Sequence, residues 1–231
     1  MSKLTPAEKV VDNSLVQAVA GEFPVLGGLA SFWRDKIAER RAREVDQSLA
    51  EIEDDIQHIY AAMQNKVDVG HLKSTDFQET LASLVEQCVR DADERKREYL
   101  KKFVVNYALS QRPDKVYKDM FLQTIREVGS LHITVLTQLY AEQKTLSEQD
   151  LEVVLTQPNR SAAITIGMLS QRMHTDKALL RAVVLQAVSR SLIQTSEPTW
   201  AAVTDKSVIV LTSIGKAFVS FLAGEWSGIA S

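Results

Sequence analysis

The residues whose types and spacing come closest to a reactive site lie between Glu51 and His58. Glu51, Asp54, Asp55 and His58 place three carboxylates and an imidazole on neighbouring turns of a predicted helix. Such groups hold the metal ions of di-iron helical bundles, but that site needs a second Glu-x-x-His helix, which the sequence lacks. The segment is therefore predicted to be a charged helix face, and no metal or cofactor is predicted.

The other groups that could act as nucleophiles or ligands are isolated along the chain. The one cysteine, Cys88, follows Leu84 and Val85 in an apolar run, which predicts a buried small hydrophobe rather than a nucleophile. The remaining histidines are scattered, at His71, His132 and His174. Because no nucleophile is paired with a base, the chain is predicted not to be an enzyme.

A basic run follows an aromatic one near the N-terminus. Phe32 and Trp33 precede Arg34, Arg40 and Arg41, a pattern typical of a helix that lies on an anionic membrane or on a partner. The same arginines could instead form a solvated face that pairs with the carboxylates of a second helix. These five residues are candidate partner or membrane contacts, and so is Trp200, an aromatic residue expected in a loop.

Composition places the chain among ordinary globular proteins. It has 231 residues, of which 45% are hydrophobic and 25% are charged, and this length favours two domains. A formal net charge of -3 gives no general attraction to nucleic acid or to anionic membranes. A single cysteine, with no secretory leader pattern, favours a reducing, cytoplasmic location.

The N-terminal part, residues 1–129, predicts a helical domain built on a long hairpin. An apolar pattern with helical spacing runs over about 25–64, and Ser74 caps a second pattern over 75–111. A turn at Gly70 should fold these two arms into an antiparallel pair.

Charge along the two arms supports their pairing. The first arm has three arginines between positions 40 and 43, and the second carries Asp91, Asp93, Glu94 and Glu98. Exposed ion pairs contribute only about 0–1 kcal/mol each, so they would set the register while apolar ends hold the arms together. A third helical segment runs from Pro113 to Gly129, where we place the domain boundary.

The C-terminal part, residues 130–231, predicts helices followed by a hairpin and a closing helix. The helices are expected at 131–142, 148–157, 160–170 and 176–190. The last has apolar residues at 179, 180, 183, 184, 187 and 188 after an N-cap at Thr175. The period then changes to two in Leu192-Ile193 and in 208–211, which predicts a β-hairpin, and Thr212 caps a helix over 213–223.

This order over residues 131–222 resembles the winged-helix superfamily. The resemblance is carried by Leu192-Ile193 at the end of a short apolar helix and by Val208-Ile-Val-Leu-Thr-Ser-Ile-Gly-Lys-Ala-Phe218 after a loop. The helix near 148–157 is an insertion relative to that arrangement. The fold expected for the whole chain is mainly α, with the helical hairpin domain followed by a winged-helix domain.

A winged helix that binds DNA would place helix 176–190 in the major groove. Lys177, Arg181, Arg190 and, on the wing, Lys206 would then be the contacts. Residues 129–231, however, contain eight Lys or Arg and eight Asp or Glu. DNA-binding domains usually have a net positive face because phosphate neutralisation supplies most of their affinity. The balance favours protein docking over a DNA-binding transcriptional regulator.

The layout as a whole is similar to Abi-alpha-type bacterial abortive-infection proteins. The similarity lies in the apolar N-terminal segment with glycine and proline, the long charged helix, and the helical module containing His132-Ile-Thr-Val-Leu136. It implies a bacterial or phage stress or defence role, with a membrane-associated defence effector as a third alternative.

The function predicted first is a non-enzymatic interaction or adaptor protein. Its expected partner is another protein or a second copy of the chain, because two paired helices leave apolar surface for a further helix to cover. DNA and a membrane surface are the alternative partners. No small-molecule ligand is evident.

Overall fold

The computed structural model describes residues 47, 50–52, 54–58, 61, 66–157, 163–197 and 202–226. This part is mainly helical and contains one two-stranded antiparallel sheet. The helices are α1 (Val69–Leu72), α2 (Thr75–Arg90), α3 (Glu94–Tyr107), α4 (Lys115–Glu127), α5 (Ser130–Gln143), α6 (Glu148–Thr156), α7 (Ile166–Met173), α8 (Lys177–Ser189) and α9 (Ser213–Leu222). The strands are β1 (Ile193–Thr195) and β2 (Ile209–Leu211).

The chain divides into two compact units, Met1–Arg112 and Pro113–Ser231. The division falls before α4, whereas the sequence analysis placed a boundary after it, at Gly129. Aromatic packing explains the difference. Phe121 of α4 lies with its ring centroid 5.5 Å from that of Phe218 and 5.7 Å from that of Phe221, both on α9. Helix α4 therefore shares the core of the second unit.

The first unit does not contain a continuous second arm over 75–111, and that prediction is wrong. Helix α2 ends at Arg90, α3 begins at Glu94, and the two helices pack against each other. The core of this unit also includes two residues from the helical stretches described at 50–52 and 54–58. Its fully buried side chains include Ile52, Ile56, Phe77, Leu81, Leu84, Leu100 and Phe103.

Two aspartates make the break between α2 and α3. The Asp93 side chain accepts a hydrogen bond from the Lys96 amide as the N-cap of α3, and the Asp93 amide donates to the Asp91 carboxylate at 3.0 Å. Arg97 donates to the Asp91 carbonyl at 3.1 Å, and the Lys96 ammonium lies 3.3 Å from its carboxylate. Hydrogen bonds and an ion pair within this charged segment thus stabilise the turn, and the segment does not require a second arm as its partner.

Little of the predicted first arm lies in the described part. There, Lys101 of α3 forms ion pairs with Glu51 and, at 3.0 Å, with Glu98. The expected pairing of the arginines at 40–43 with the second arm lies outside the described residues. The expected contacts of Phe32 and Trp33 lie outside them as well.

The second unit has the helix, hairpin and closing helix predicted for its last part. Strands β1 and β2 pair antiparallel with Ile193 opposite Leu211 and Thr195 opposite Ile209. Thr212 accepts a hydrogen bond from the Gly215 amide at 2.9 Å, which confirms it as the N-cap of α9. Ser147 and Asp150 form a capping box at the start of α6.

Three helix boundaries differ from the prediction because another residue provides the cap. Asp176, not Thr175, accepts from the Leu179 amide and begins α8. Helix α7 begins after Thr165, later than the predicted start at 160. Helix α4 ends at Glu127 with Val128 as its C-cap, whereas the predicted segment ran on to Gly129, which is the N-cap of α5.

A buried amide joins the helices of this unit to its sheet. Gln143, at the end of α5, is fully buried; its side chain donates to the Ile209 carbonyl at 3.1 Å and accepts from the Leu211 amide at 2.9 Å. The Ile209 carbonyl and the Leu211 amide lie on the edge of β2 that faces away from β1. Ile164 completes this edge by accepting from the Ile209 amide at 2.9 Å.

Gly215 allows α9 to approach the connection between α8 and β1. A Cβ atom at this position would lie 2.1 Å from the Leu192 carbonyl oxygen and 3.2 Å from a methyl of Leu211. Because the first of these neighbours is backbone, it cannot move without shifting the chain. The glycine of the LTxxG pattern is thus required by close packing.

We predict that Gly215→Ala destabilises the protein by about 2–3 kcal/mol, because the added methyl overpacks a backbone contact. Urea unfolding followed by circular dichroism measures this change. Gly129→Ala is the control, since a Cβ there would meet only the His132 ring at an ordinary 3.7 Å. Equal stability of the two variants would contradict the close-approach explanation.

We predict that Gln143→Leu lowers the free energy of unfolding by about 2–4 kcal/mol, because it leaves two buried main-chain groups of β2 without partners. The same unfolding experiment applies. Gln138→Leu on the half-exposed side of α5 is the matched control and should change stability little. A larger loss in the control than in Gln143→Leu would refute the bridging role.

Candidate interaction surface

Helix α8 has an apolar surface on the side that faces away from its core. Its buried side consists of Leu180, Val183, Val184 and Ala187. Its exposed residues are Lys177 in the first turn and six uncharged residues, which we call the α8 outer face: Ala178, Leu179, Ala182, Leu185, Gln186 and Ser189. Leu179 is 51% exposed and Leu185 is 48% exposed. Leu179 belongs to the apolar helical pattern identified in the sequence, but it lies outside the buried side of the helix.

The cations next to this face are paired within the protein. Lys177 lies with its ammonium 2.9 Å from one carboxylate oxygen of Asp205, and Arg181 lies 3.6 Å from the other. The Lys177 hydrogen bond, assisted by the charge of Arg181, lowers the pKa of Asp205 below its ordinary value. One carboxylate on the loop between β1 and β2 therefore engages two of the four predicted DNA contacts.

The same loop is held by α7. The Gly167 amide donates to the Asp205 carbonyl at 2.8 Å. The carboxylate is thereby fixed beside α8, because its own main chain is bonded to the first turn of the neighbouring helix. Lys206 lies next in the loop and is exposed.

The remaining predicted DNA contact, Arg190, lies at the opposite end of α8. Its guanidinium donates to the Glu127 carboxylate at 3.2 Å and to the Gln186 carbonyl at 3.3 Å. Hydrogen bonds from Gln123 and then from Arg190 lower the pKa of Glu127. The structure thus brings Lys177 and Arg181 to Asp205, with Lys206 next to it in the sequence, whereas Arg190 lies apart. A phosphate would have to compete with carboxylates for three of the four cations.

The predicted partner or membrane contacts Phe32, Trp33, Arg34, Arg40, Arg41 and Trp200 lie outside the described residues. A second C-terminal tryptophan, Trp226, is described. Its ring centroid lies 5.8 Å from that of Phe121 and 6.3 Å from that of Phe221. Trp226 therefore packs against its own unit. In the part of the chain that the structure describes, we find no helix with the length and apolar character needed to span a membrane.

The candidate reactive groups of the first unit make ordinary structural contacts. Glu51 pairs with Lys101, and the His58 ring lies 2.8 Å from the Asp54 carbonyl oxygen. Burial raises the pKa of the Cys88 thiol to about 11, which keeps it protonated, in agreement with the predicted small hydrophobe. Within the described ranges, no three His, Cys, Asp or Glu side chains cluster as metal ligands would.

No protein-family model, curated protein or solved structure matches this chain. Its function is therefore argued from the surface itself. Two features of that surface were not predicted from the sequence, the exposure of Leu179 and the role of Asp205. Helical spacing indicates an apolar side of α8 but not its width, and the Asp205 pairing joins segments that are distant in the sequence.

We predict that Asp205→Asn lowers the melting temperature at neutral pH and that this difference shrinks at acidic pH. A carboxylate whose pKa is lowered by folding stabilises the protein above its unfolded pKa, near 3.8, and this stabilisation is lost as pH falls through the folded pKa. Thermal unfolding over a pH series measures the effect. Asp55→Asn, at an exposed helical aspartate, is the control. A difference that does not depend on pH would contradict the ion-pair explanation.

Proposed function

We propose that the chain is a non-enzymatic interaction or adaptor protein whose second unit is a winged-helix domain that docks another protein through the α8 outer face. The order of α5, α7, α8, the hairpin and α9 supports the winged-helix assignment. Thr165 also forms an antiparallel bridge with Val208 ahead of α7. This bridge extends the small sheet beyond its two strands and ties it to the helices.

The observation that carries this proposal is the combination of an uncharged outer face with paired cations beside it. Leu179 and Leu185 offer apolar area that is about half exposed on one helix. Protein interfaces are depleted of charge at their centre and polar at their rim, and the Asp205 ion pairs would form such a rim. A DNA-binding helix needs the reverse, with cations available to neutralise phosphates.

The alternative functions differ in the partner and in the residues that would contact it. A transcriptional regulator would bring Lys177, Arg181, Arg190 and Lys206 to the phosphates and bases of a duplex. A membrane-associated defence effector would instead use the N-terminal aromatic and basic residues. The layout similarity to Abi-alpha-type proteins favours a bacterial or phage setting for any of these functions.

A photo-crosslinking amino acid at position 185 tests the proposal in cells of the source organism. We expect a crosslinked protein at this position and none at Thr137, an exposed position on α5 that serves as the control. An adduct of twice the chain mass would identify a second copy as the partner. Leu179→Glu should remove the adduct, because it places a charge at the centre of the surface.

Duplex DNA provides the opposing measurement. The wild-type protein is expected to cause no retardation of a duplex at low salt. Retardation that increases in Asp205→Asn and is lost in Lys177→Ala would overturn protein docking in favour of the transcriptional regulator, because it would show that the cations bind phosphate.

A further inference from the structure

A cleft of about 710 Å³ lies on another side of the second unit. Helix α6 forms one wall and strand β1 the other, and the cleft is closed by the end of α8 and the start of α9. None of its lining residues belongs to the α8 outer face. Its volume is within the roughly 300–1,000 Å³ typical of ligand pockets.

The cleft runs along the whole length of β1. Ile193, Gln194 and Thr195 all line it, although side chains of successive strand residues point to opposite faces. Leu211, the partner of Ile193 on β2, lines it as well. This geometry suits an extended chain lying parallel to the strand axis.

The outer edge of β1, which faces away from β2, carries main-chain hydrogen-bonding groups. The Thr212 amide donates to Leu192, and the Ser196 amide donates to Val208. Antiparallel bonding alternates along a strand, so Leu192, Gln194 and Ser196 bond toward β2, while the amides and carbonyls of Ile193 and Thr195 point the other way. The far edge of β2 is occupied by Gln143 and Ile164, which leaves β1 as the edge where a strand can be added.

The walls carry more negative than positive charge. Glu148, Glu152 and Glu197 line the cleft together with a single cation, Lys216. Lys216 donates to the Leu146 carbonyl, so its ammonium is already engaged. Glu148 accepts from the Ser213 hydroxyl, and Glu197 accepts from the Ser196 hydroxyl at 3.0 Å. Glu152 is exposed on α6 and adds a carboxylate directed away from the core.

Apolar contacts are available between these carboxylates. Leu151 and Leu155 of α6 line the same cleft, and Leu155 is only partly buried. These leucines recur with Glu148 and Glu152 at helical spacing on one side of α6, so the side chains that an extended chain directs toward α6 would meet both apolar and acidic groups.

We propose that this cleft binds an extended peptide segment that is rich in Lys or Arg and contains apolar residues, and that the segment adds to β1 as a further strand. Main-chain hydrogen bonds to Ile193 and Thr195 supply affinity, and the three glutamates select basic side chains. The site is separate from the α8 outer face and does not depend on the docking function proposed for it.

The test uses the full chain and a fluorescein-labelled peptide of alternating lysine and valine, followed by fluorescence anisotropy. We expect saturable binding, and much weaker binding of the peptide in which glutamate replaces every lysine. Glu152→Gln should weaken binding roughly two- to fivefold, as expected for one exposed charge pair. Glu79→Gln, the same change at an exposed residue of α2, should leave the affinity unchanged.

Two N-methylated versions of the peptide test strand addition itself. In each, alternate main-chain amides are blocked, so one version loses the amides that face β1 and the other loses only those that face solvent. We expect one version to lose binding and the other to keep it. We also expect the Ile193 and Thr195 amides to become protected from hydrogen exchange when the unmodified peptide binds.

Three results would overturn the proposal. These are no saturable binding of the basic peptide, equal affinity for the basic and acidic peptides, and equal affinity for the two N-methylated versions. The last would mean that charge alone holds the peptide, without a strand. Because none of these measurements involves Leu179 or Leu185, their failure would be distinct from a failure of docking at the α8 outer face.

Discussion

The second unit depends on the satisfaction of one strand edge inside its core. Strand β2 lies between β1 on one side and helices on the other, so its outward main-chain groups are buried where water cannot reach them. Gln143 supplies both a donor and an acceptor to this edge, and its side chain is fully buried. Unmet hydrogen bonds in such a place cost far more than formed ones contribute. The position of the hairpin relative to α5 follows from this bridge.

The fixed hairpin in turn determines the charge of the surface around α8. Its loop is bonded to α7 through the Asp205 carbonyl and to α8 through the Asp205 carboxylate. A single acidic residue of the loop therefore engages two of the cations that flank α8. The leucines of the α8 outer face become the distinguishing feature of that surface, and they carry the docking proposal.

Local signals in the sequence were sufficient for much of the second unit. The cap at Thr212 and the change of period after α8 depend on residues within a few positions of one another, and both are present as predicted. The break at Asp91 and Asp93 was missed because the surrounding residues favour a helix and the turn is stabilised by side chains. Gln143 and Asp205 were missed because their partners lie far away in sequence. Periodicity identified the buried residues of α8 but could not show that Leu179 lies beyond the edge of the core.

The brevity of β1 has a consequence for the solubility of the chain. An open strand edge is a template on which other copies can assemble, and long, flat, apolar edges lead to fibrous aggregates. Strand β1 spans only Ile193–Thr195, and the charged residue Glu197 lies two positions after its end. Because β1 is so short, its edge can stay open while presenting few main-chain groups on which identical chains could assemble into a fibril.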